Sequence, residues 1–137
     1  MSPKFERGVI RNKEFKRRIS DFSGLRYGKI TPTDLDLYVE FSGKLFVFVE
    51  AKFMNSEMEY GQKLALERLC DGMHRPAEGK HSVLFLVTHC QEEGDIDMAK
   101  TKVVKYRHGG VWKRPHREGS TLRDGIDAFK LKILGAA

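Results

Sequence analysis

The sequence predicts an α/β fold, a mixed β-sheet flanked by helices. Two five-residue apolar runs, residues 45–49 and 83–87, have the unbroken hydrophobicity of strands covered on both faces. Between them, residues 57–73 set Leu66, Leu69, Cys70 and Met73 on one helical stripe. Strand, helix and strand therefore form a right-handed βαβ unit with parallel strands. Ahead of this unit, residues 34–41 alternate in polarity and meet residues 44–49 across Ser42-Gly43, which adds an antiparallel neighbour.

The elements follow in order along the chain. Phe15, Ile19 and Phe22 fall at i, i+4 and i+7 with Lys13, Lys16 and Arg17 off the stripe. A short basic amphipathic helix is expected there, with Asn12 as its N-cap and Gly24 as its stop. Phe5 and Val9 extend it backwards as a separate turn. In the first hairpin, a two-residue Ser-Gly loop would pair Phe41 with Lys44 and put Asp36 and Glu50 on opposite faces. A three-residue loop of Phe41, Ser42 and Gly43 instead makes Asp34 face Glu50 with Asp36 on its diagonal, all on one face. The second register is preferred because glycine falls where that loop needs a left-handed residue. Residues 82–88 are a buried strand, and KVVKYRHGGVWKRP is a hairpin turning at Gly109-Gly110. Leu122, Ile126, Phe129 and Ile133 then define a last helix, capped by Thr121 and ended by Gly135.

Length and composition bound the rest. A chain of 137 residues with neither repeat nor linker reads as one domain, 1–137. Its 40% hydrophobic content with 9 Phe excludes a disordered chain. The apolar runs are too short to span a membrane, and the start MSPKFERGVIRNK lacks the apolar core of a signal peptide. Two cysteines, Cys70 and Cys90, make no disulfide framework, so reduced thiols and a cytoplasmic setting are expected. Charge is divided unevenly. Residues 1–30 carry 9 basic and 3 acidic groups and residues 98–137 carry 10 and 3, whereas residues 31–70 carry 4 and 7 and residues 71–97 carry 2 and 6. An acidic middle between basic ends suits a polyanionic partner such as DNA; a solvated lysine-rich surface has the same composition.

Chemistry concentrates in ITPTDLDLYVEFSGKLFVFVEAKF. Glu50 and Lys52 sit two apart at the end of an apolar strand and so project from one face. An unpaired charge in such a place costs several kcal/mol. With Asp36, and with Asp34 as a further candidate, the face holds two or three carboxylates and one lysine. Two readings fit: a Lys52–carboxylate salt bridge, or oxygen ligands gathered around a hard divalent ion such as Mg²⁺ or Mn²⁺.

The spacing of Asp36, thirteen residues, then Glu50-Ala51-Lys52, preceded by Thr33-Asp34-Leu35, resembles the PD-(D/E)xK nuclease superfamily. Gly61-Gln62 at the start of the next helix is similar to the glutamine several of its branches carry there. The resemblance spans about residues 12–88, leaves the C-terminal third unexplained, and lies nearest to small phage-type nucleases and Holliday-junction resolvases. It implies a restriction-endonuclease-like αβββαβ core with a first strand near residues 25–32, to which a basic C-terminal hairpin and helix are added. It further implies a metal-dependent DNA endonuclease, with Asp36, Glu50 and the Ala51 carbonyl as Mg²⁺ ligands and Lys52 orienting or activating water. Asp34 stays ambiguous between a second ligand and a strand-start residue. The alternatives are a dimeric Holliday-junction resolvase and a DNA-binding module of this fold without turnover.

Gln62 also has an argument of its own. It continues the Leu66 and Leu69 stripe toward the helix N-terminus, beside the strand end that carries Glu50 and Lys52, where it could hold a ligand water or phosphate. Its neighbour Lys63 could touch the DNA backbone. Glu14 could be an extra acid from the first helix or an ion-pair partner of Arg18, and Glu6 is a weaker candidate. In the second hairpin Lys102, Lys105, Tyr106, Arg107, Lys113 and Arg114 surround Trp112. These cations suit phosphate contacts, and Trp112 either stacks on an unpaired base or packs at the core edge. Cys70, His74, His89, Cys90, His108 and His116 show no CxxC or HxxxH pair, so no zinc site is expected. No P-loop or GxGxxG is present.

Overall fold

The computed structural model describes residues 13–54 and 56–135. The chain divides at Pro32/Thr33 into two compact units. In the first, helix α1 is only Lys13–Arg17 and stops well before Gly24. Asp21 supplies the reason: its carboxylate accepts from both the amide and the hydroxyl of Ser23, a local turn that competes with helix and leads into the 3₁₀ turn Ser23–Leu25. The strand expected near residues 25–32 is not formed. Tyr27 and Ile30 exchange both backbone hydrogen bonds around Gly28, which is left-handed at φ +65°, so this stretch is a tight reversal. Phe5, Val9, Asn12 and Glu6 lie outside the described residues.

The second unit is a five-stranded sheet in the order β1-β2-β3-β4-β5, with β1 Leu37–Phe41, β2 Leu45–Phe53, β3 His81–His89, β4 Lys102–His108 and β5 Val111–Lys113. β2 and β3 are parallel and the other pairs antiparallel, the mixed sheet the sequence predicts. Helix α2, Tyr60–Met73, connects the parallel strands. Helix α3, Leu122–Leu134, has Thr121 and Asp124 in a reciprocal capping box and Gly135 left-handed at its end. Among the described residues no helix is long and apolar enough to cross a membrane.

Strand alternation separates two apolar layers. Val47, Val49, Val83, Phe85 and Val87 pack with Leu122 and Phe129 on the α3 side. Phe46, Phe48 and Leu84 pack with Leu66 and Cys70 on the α2 side. Gly125 allows α3 to lie close: a Cβ there would stand 2.7 Å from the Phe85 ring.

The β1–β2 register differs from both expected ones. Leu37 pairs with Val49 and Phe41 with Leu45, so the loop is Ser42, Gly43 and Lys44. Ser42 and Gly43 are both left-handed, the Lys44 amide closes the turn on the Phe41 carbonyl at 2.9 Å, and the Glu40 carboxylate holds the Gly43 amide at 2.6 Å. A turn with two positive φ values matches strand twist better than the loop expected from Gly43 alone. The pairing moves by two residues, so side-chain parity is unchanged. Continued past Leu37, this register sets Asp36 opposite Glu50 and Asp34 opposite Lys52, where the sequence had suggested Asp34 opposite Glu50.

The second hairpin turns at Gly109 and Gly110, both left-handed. A bulge lies upstream, where Leu86 pairs with Lys105 but Val87 with Val103, leaving Val104 as the extra residue. The bulge lets Val103 join the α3-side core while Lys105 and Arg107 turn to the α2 side.

Candidate active site

Glu50 lies in β2, two residues beyond Phe48 on the α2 side, and is 3% exposed. Lys52 follows on the same face, and its Nζ is 3.1 Å from Glu50 Oε2. Gln62, in the first turn of α2, donates from Nε2 to the same Oε2 at 2.5 Å and accepts from Lys52 Nζ at Oε1, 3.2 Å away. Carboxylate, amide and ammonium thus close a triangle in which each fixes the other two.

Asp36 reaches this triangle from just before β1. Its Oδ2 accepts from the Ala51 amide at 2.8 Å. β1 begins at Leu37, so the side chain of Asp36 takes over along the edge of β2 beyond the paired stretch. Ala51 therefore enters the site through an amide held by Asp36. Asp34 is exposed and makes no side-chain contact with this group among the described residues.

The electrostatics are unbalanced. Burial, reinforced by the Asp36 carboxyl and opposed by Lys52, leaves the Glu50 carboxyl raised to about 7. Glu50 Oε1 is buried and accepts no hydrogen bond from any of the described residues. Below about pH 7 a proton on Glu50 can bridge to Asp36; above it both acids are ionised, neither can donate to the other, and one ammonium faces two carboxylates with one buried oxygen left over. A hard divalent cation fits that donor set: it would satisfy the orphan oxygen and relieve the repulsion. The residues present are therefore suited to such an ion.

Beside Lys52 opens a groove of about 560 Å³. Lys63, Lys105, Lys113 and Arg114 line it with Lys52, and Trp112, Met54, Met58 and Thr88 supply its less polar wall. Lys63 comes within 4.0 Å of Glu67. Trp112 packs against the α2-side core, donates its indole N–H to Glu67 at 2.6 Å, and has Lys105 Nζ 4.6 Å from its ring centroid. This packing at the core edge is one of its two expected roles. Arg107, expected among the DNA contacts, is turned inward instead. It makes two parallel hydrogen bonds to Asp71, at 2.9 and 2.8 Å, and lies 3.5 Å from Glu67. A guanidinium held by two acids of α2 joins β4 to that helix rather than offering charge to a ligand. Glu14, in the other unit, pairs with Arg17 at 3.5 Å.

Sequence reasoning missed three features. The bulge at Val104 has no signal in residue type. Glu67 fits the polar side of α2, yet it anchors Trp112. His74, His81 and His108 gather at one place despite lacking any short spacing. Strand direction could have found them, because the start of β3, the end of β4 and the end of α2 share one end of the sheet.

Comparisons with protein-family models, curated proteins and solved structures find no match for this chain.

Proposed function

We propose that this protein is a Mg²⁺-dependent DNA endonuclease that hydrolyses phosphodiester bonds at the Asp36–Glu50–Lys52–Gln62 site. The observation that supports it most is the buried Glu50, with an oxygen unpartnered among the described residues, a carboxyl raised to about 7 and a second carboxyl beside it, bonded to a Lys52 that itself lines a groove rich in cations. A salt bridge alone does not account for this group, since Lys52 balances one carboxylate and leaves the other in excess. The order Asp36, Glu50-Ala51-Lys52 and the helical Gln62 resembles PD-(D/E)xK nucleases, which supports the same reading.

Asp36 and Glu50 would hold the ion, with Asp34 and the Ala51 carbonyl as further oxygen donors within the same segment. A Mg²⁺ ion held by these residues would supply Lewis-acid polarisation of the scissile phosphate and a bound water of lowered pKa. Lys52, positioned by Gln62 and Glu50, offsets charge that develops on the phosphate oxygens and orients the attacking water. Gln62 bridges the ammonium and the carboxylate and holds them in one fixed arrangement. Lys63, Lys105, Lys113 and Arg114 draw the DNA backbone along the groove without reading sequence.

Incubation of supercoiled plasmid with the protein and Mg²⁺ tests this, with Lys52→Ala as the control. Nicking by wild type that the variant loses agrees with the proposal. Equal inertness of both, with DNA still retained, would replace it with a binding module.

A further inference from the structure

His74 follows the last turn of α2, His81 opens β3 and His108 closes β4. β4 runs antiparallel to β3 and α2 leads into β3, so all three reach the end of the sheet away from Glu50. One ring nitrogen of each lies within 4.8 Å of the other two. The ring centroids are 4.8 Å apart for His74 and His108, 5.6 Å for His74 and His81, and 6.5 Å for His81 and His108. Nδ1 of His81 and Nδ1 of His108 are buried and have no hydrogen-bond partner among the described residues. Buried nitrogens left unpaired are unfavourable unless something else takes their lone pairs.

We propose that His74, His81 and His108 form a three-imidazole site for a borderline divalent transition metal, with Zn²⁺ as the test ion. Imidazole nitrogen suits such ions, whereas Mg²⁺ prefers oxygen. Three nitrogens each about 2.1 Å from a tetrahedral ion stand about 3.4 Å apart, so closure asks for side-chain shifts on the order of 1 Å. The rings are half-buried, which leaves the fourth coordination position to water. Lys113 and Lys132 act on His108 and Asp71 on His74. The two lysines disfavour imidazolium and so favour the neutral form that ligates, although they also repel a cation. One hydrogen bond must yield. His74 Nδ1 accepts from the Ser82 amide at 3.1 Å, and a neutral imidazole accepting there carries its proton on Nε2. Metal binding turns the His74 ring or takes Nδ1 from Ser82, replacing one hydrogen bond with one coordinate bond.

The test is calorimetric titration of the untagged, chelator-stripped full chain with ZnCl₂. One Zn²⁺ per chain is expected, undiminished by millimolar Mg²⁺ or by Asp36→Asn/Glu50→Gln, and weakened at least about 100-fold by His81→Gln or His108→Gln. Absence of one-to-one binding, binding that both histidine variants retain, or binding that the acid-site double variant abolishes would overturn the site. If the histidine variants fail to fold, imidazole NMR of wild type titrated with Zn²⁺ decides: selective shifts of His74, His81 and His108 support the site, and shifts confined to His89 or His116 contradict it. None of these readouts uses DNA cleavage, so failure here leaves the nuclease proposal standing, and the reverse.

Discussion

The two ends of the β2–β3 pair make an instructive contrast. Glu50 pairs with Leu86 near one end and His81 with Leu45 at the other, about 17 Å apart along the strand. Each end gathers titratable groups at the rim of an apolar sheet and leaves buried atoms unpaired, an oxygen at the first and nitrogens at the second. Burial acts on both, but with opposite sign. It raises the Glu50 carboxyl to about 7 and lowers the His108 imidazole to about 4, because in each case it disfavours the charged form. The acidic end carries excess negative charge once Glu50 is ionised, and its Lys52 lines a groove rich in cations, the arrangement on which the proposed Mg²⁺ and DNA binding rests. The histidine end is neutral when deprotonated and suits a softer ion. One sheet can thus present two donor sets that do not compete for the same metal.

The largest expected effect lies at the acidic end. Asp36→Asn or Glu50→Gln should lower Mg²⁺-dependent nicking by on the order of 10³-fold or more while gel-shift retention of DNA persists. Full activity in either variant would remove that residue from the mechanism.

A stability measurement sharpens the contrast next. The folded state holds a proton on Glu50 up to about pH 7, whereas an unfolded glutamate loses it near 4.5. Stability in chelator therefore falls as pH rises from about 4.5 to 7, by up to about 3 kcal/mol, and Glu50→Gln should remove that loss. The histidine end runs the other way. His108 stays neutral when folded, so stability falls as pH drops from 6.5 toward 4, with a slope of at most about 1.4 kcal/mol per pH unit that His108→Gln should abolish. Urea titrations across this range check both signs, and a flat profile at either end would erase the distinction.

The smallest effects separate the groove from its supports. Replacing Lys105, Lys113 and Arg114 together by alanine should reduce the slope of log affinity against log salt by about 2 to 3. Arg107→Ala should leave that slope nearly unchanged and destabilise the protein by about 1–3 kcal/mol, because its guanidinium is held by Asp71. Salt titrations of DNA binding beside urea melts distinguish the two outcomes.

Much of this was legible in residue order. Period-2 and period-3.6 patterns located β2, α2, β3, the second hairpin and α3, since burial on defined faces determines those patterns. Asp36, Glu50, Lys52 and Gln62 do converge, because parity along a strand survives a register error of two residues. The turn itself was misplaced: positive φ at Ser42 depends on the Glu40 contact to Gly43, which no local rule foresees. The short α1 and the reversal at Gly28 reflect Asp21 and Gly28 overriding a plausible apolar stripe. Arg107 looked like a surface cation until its acidic partners on α2 were placed, and the histidines became a group only once strand directions were known. Contacts across the sheet decide such features, and spacing along the chain does not carry them.

Diffraction from crystals grown with Mn²⁺, recorded at the manganese absorption edge, addresses the acidic site most directly. An anomalous peak between the Asp36 and Glu50 carboxylates, lost in Glu50→Gln, is the expected result. Crystals with ordered side chains at both residues and no such peak in millimolar Mn²⁺ would contradict the account.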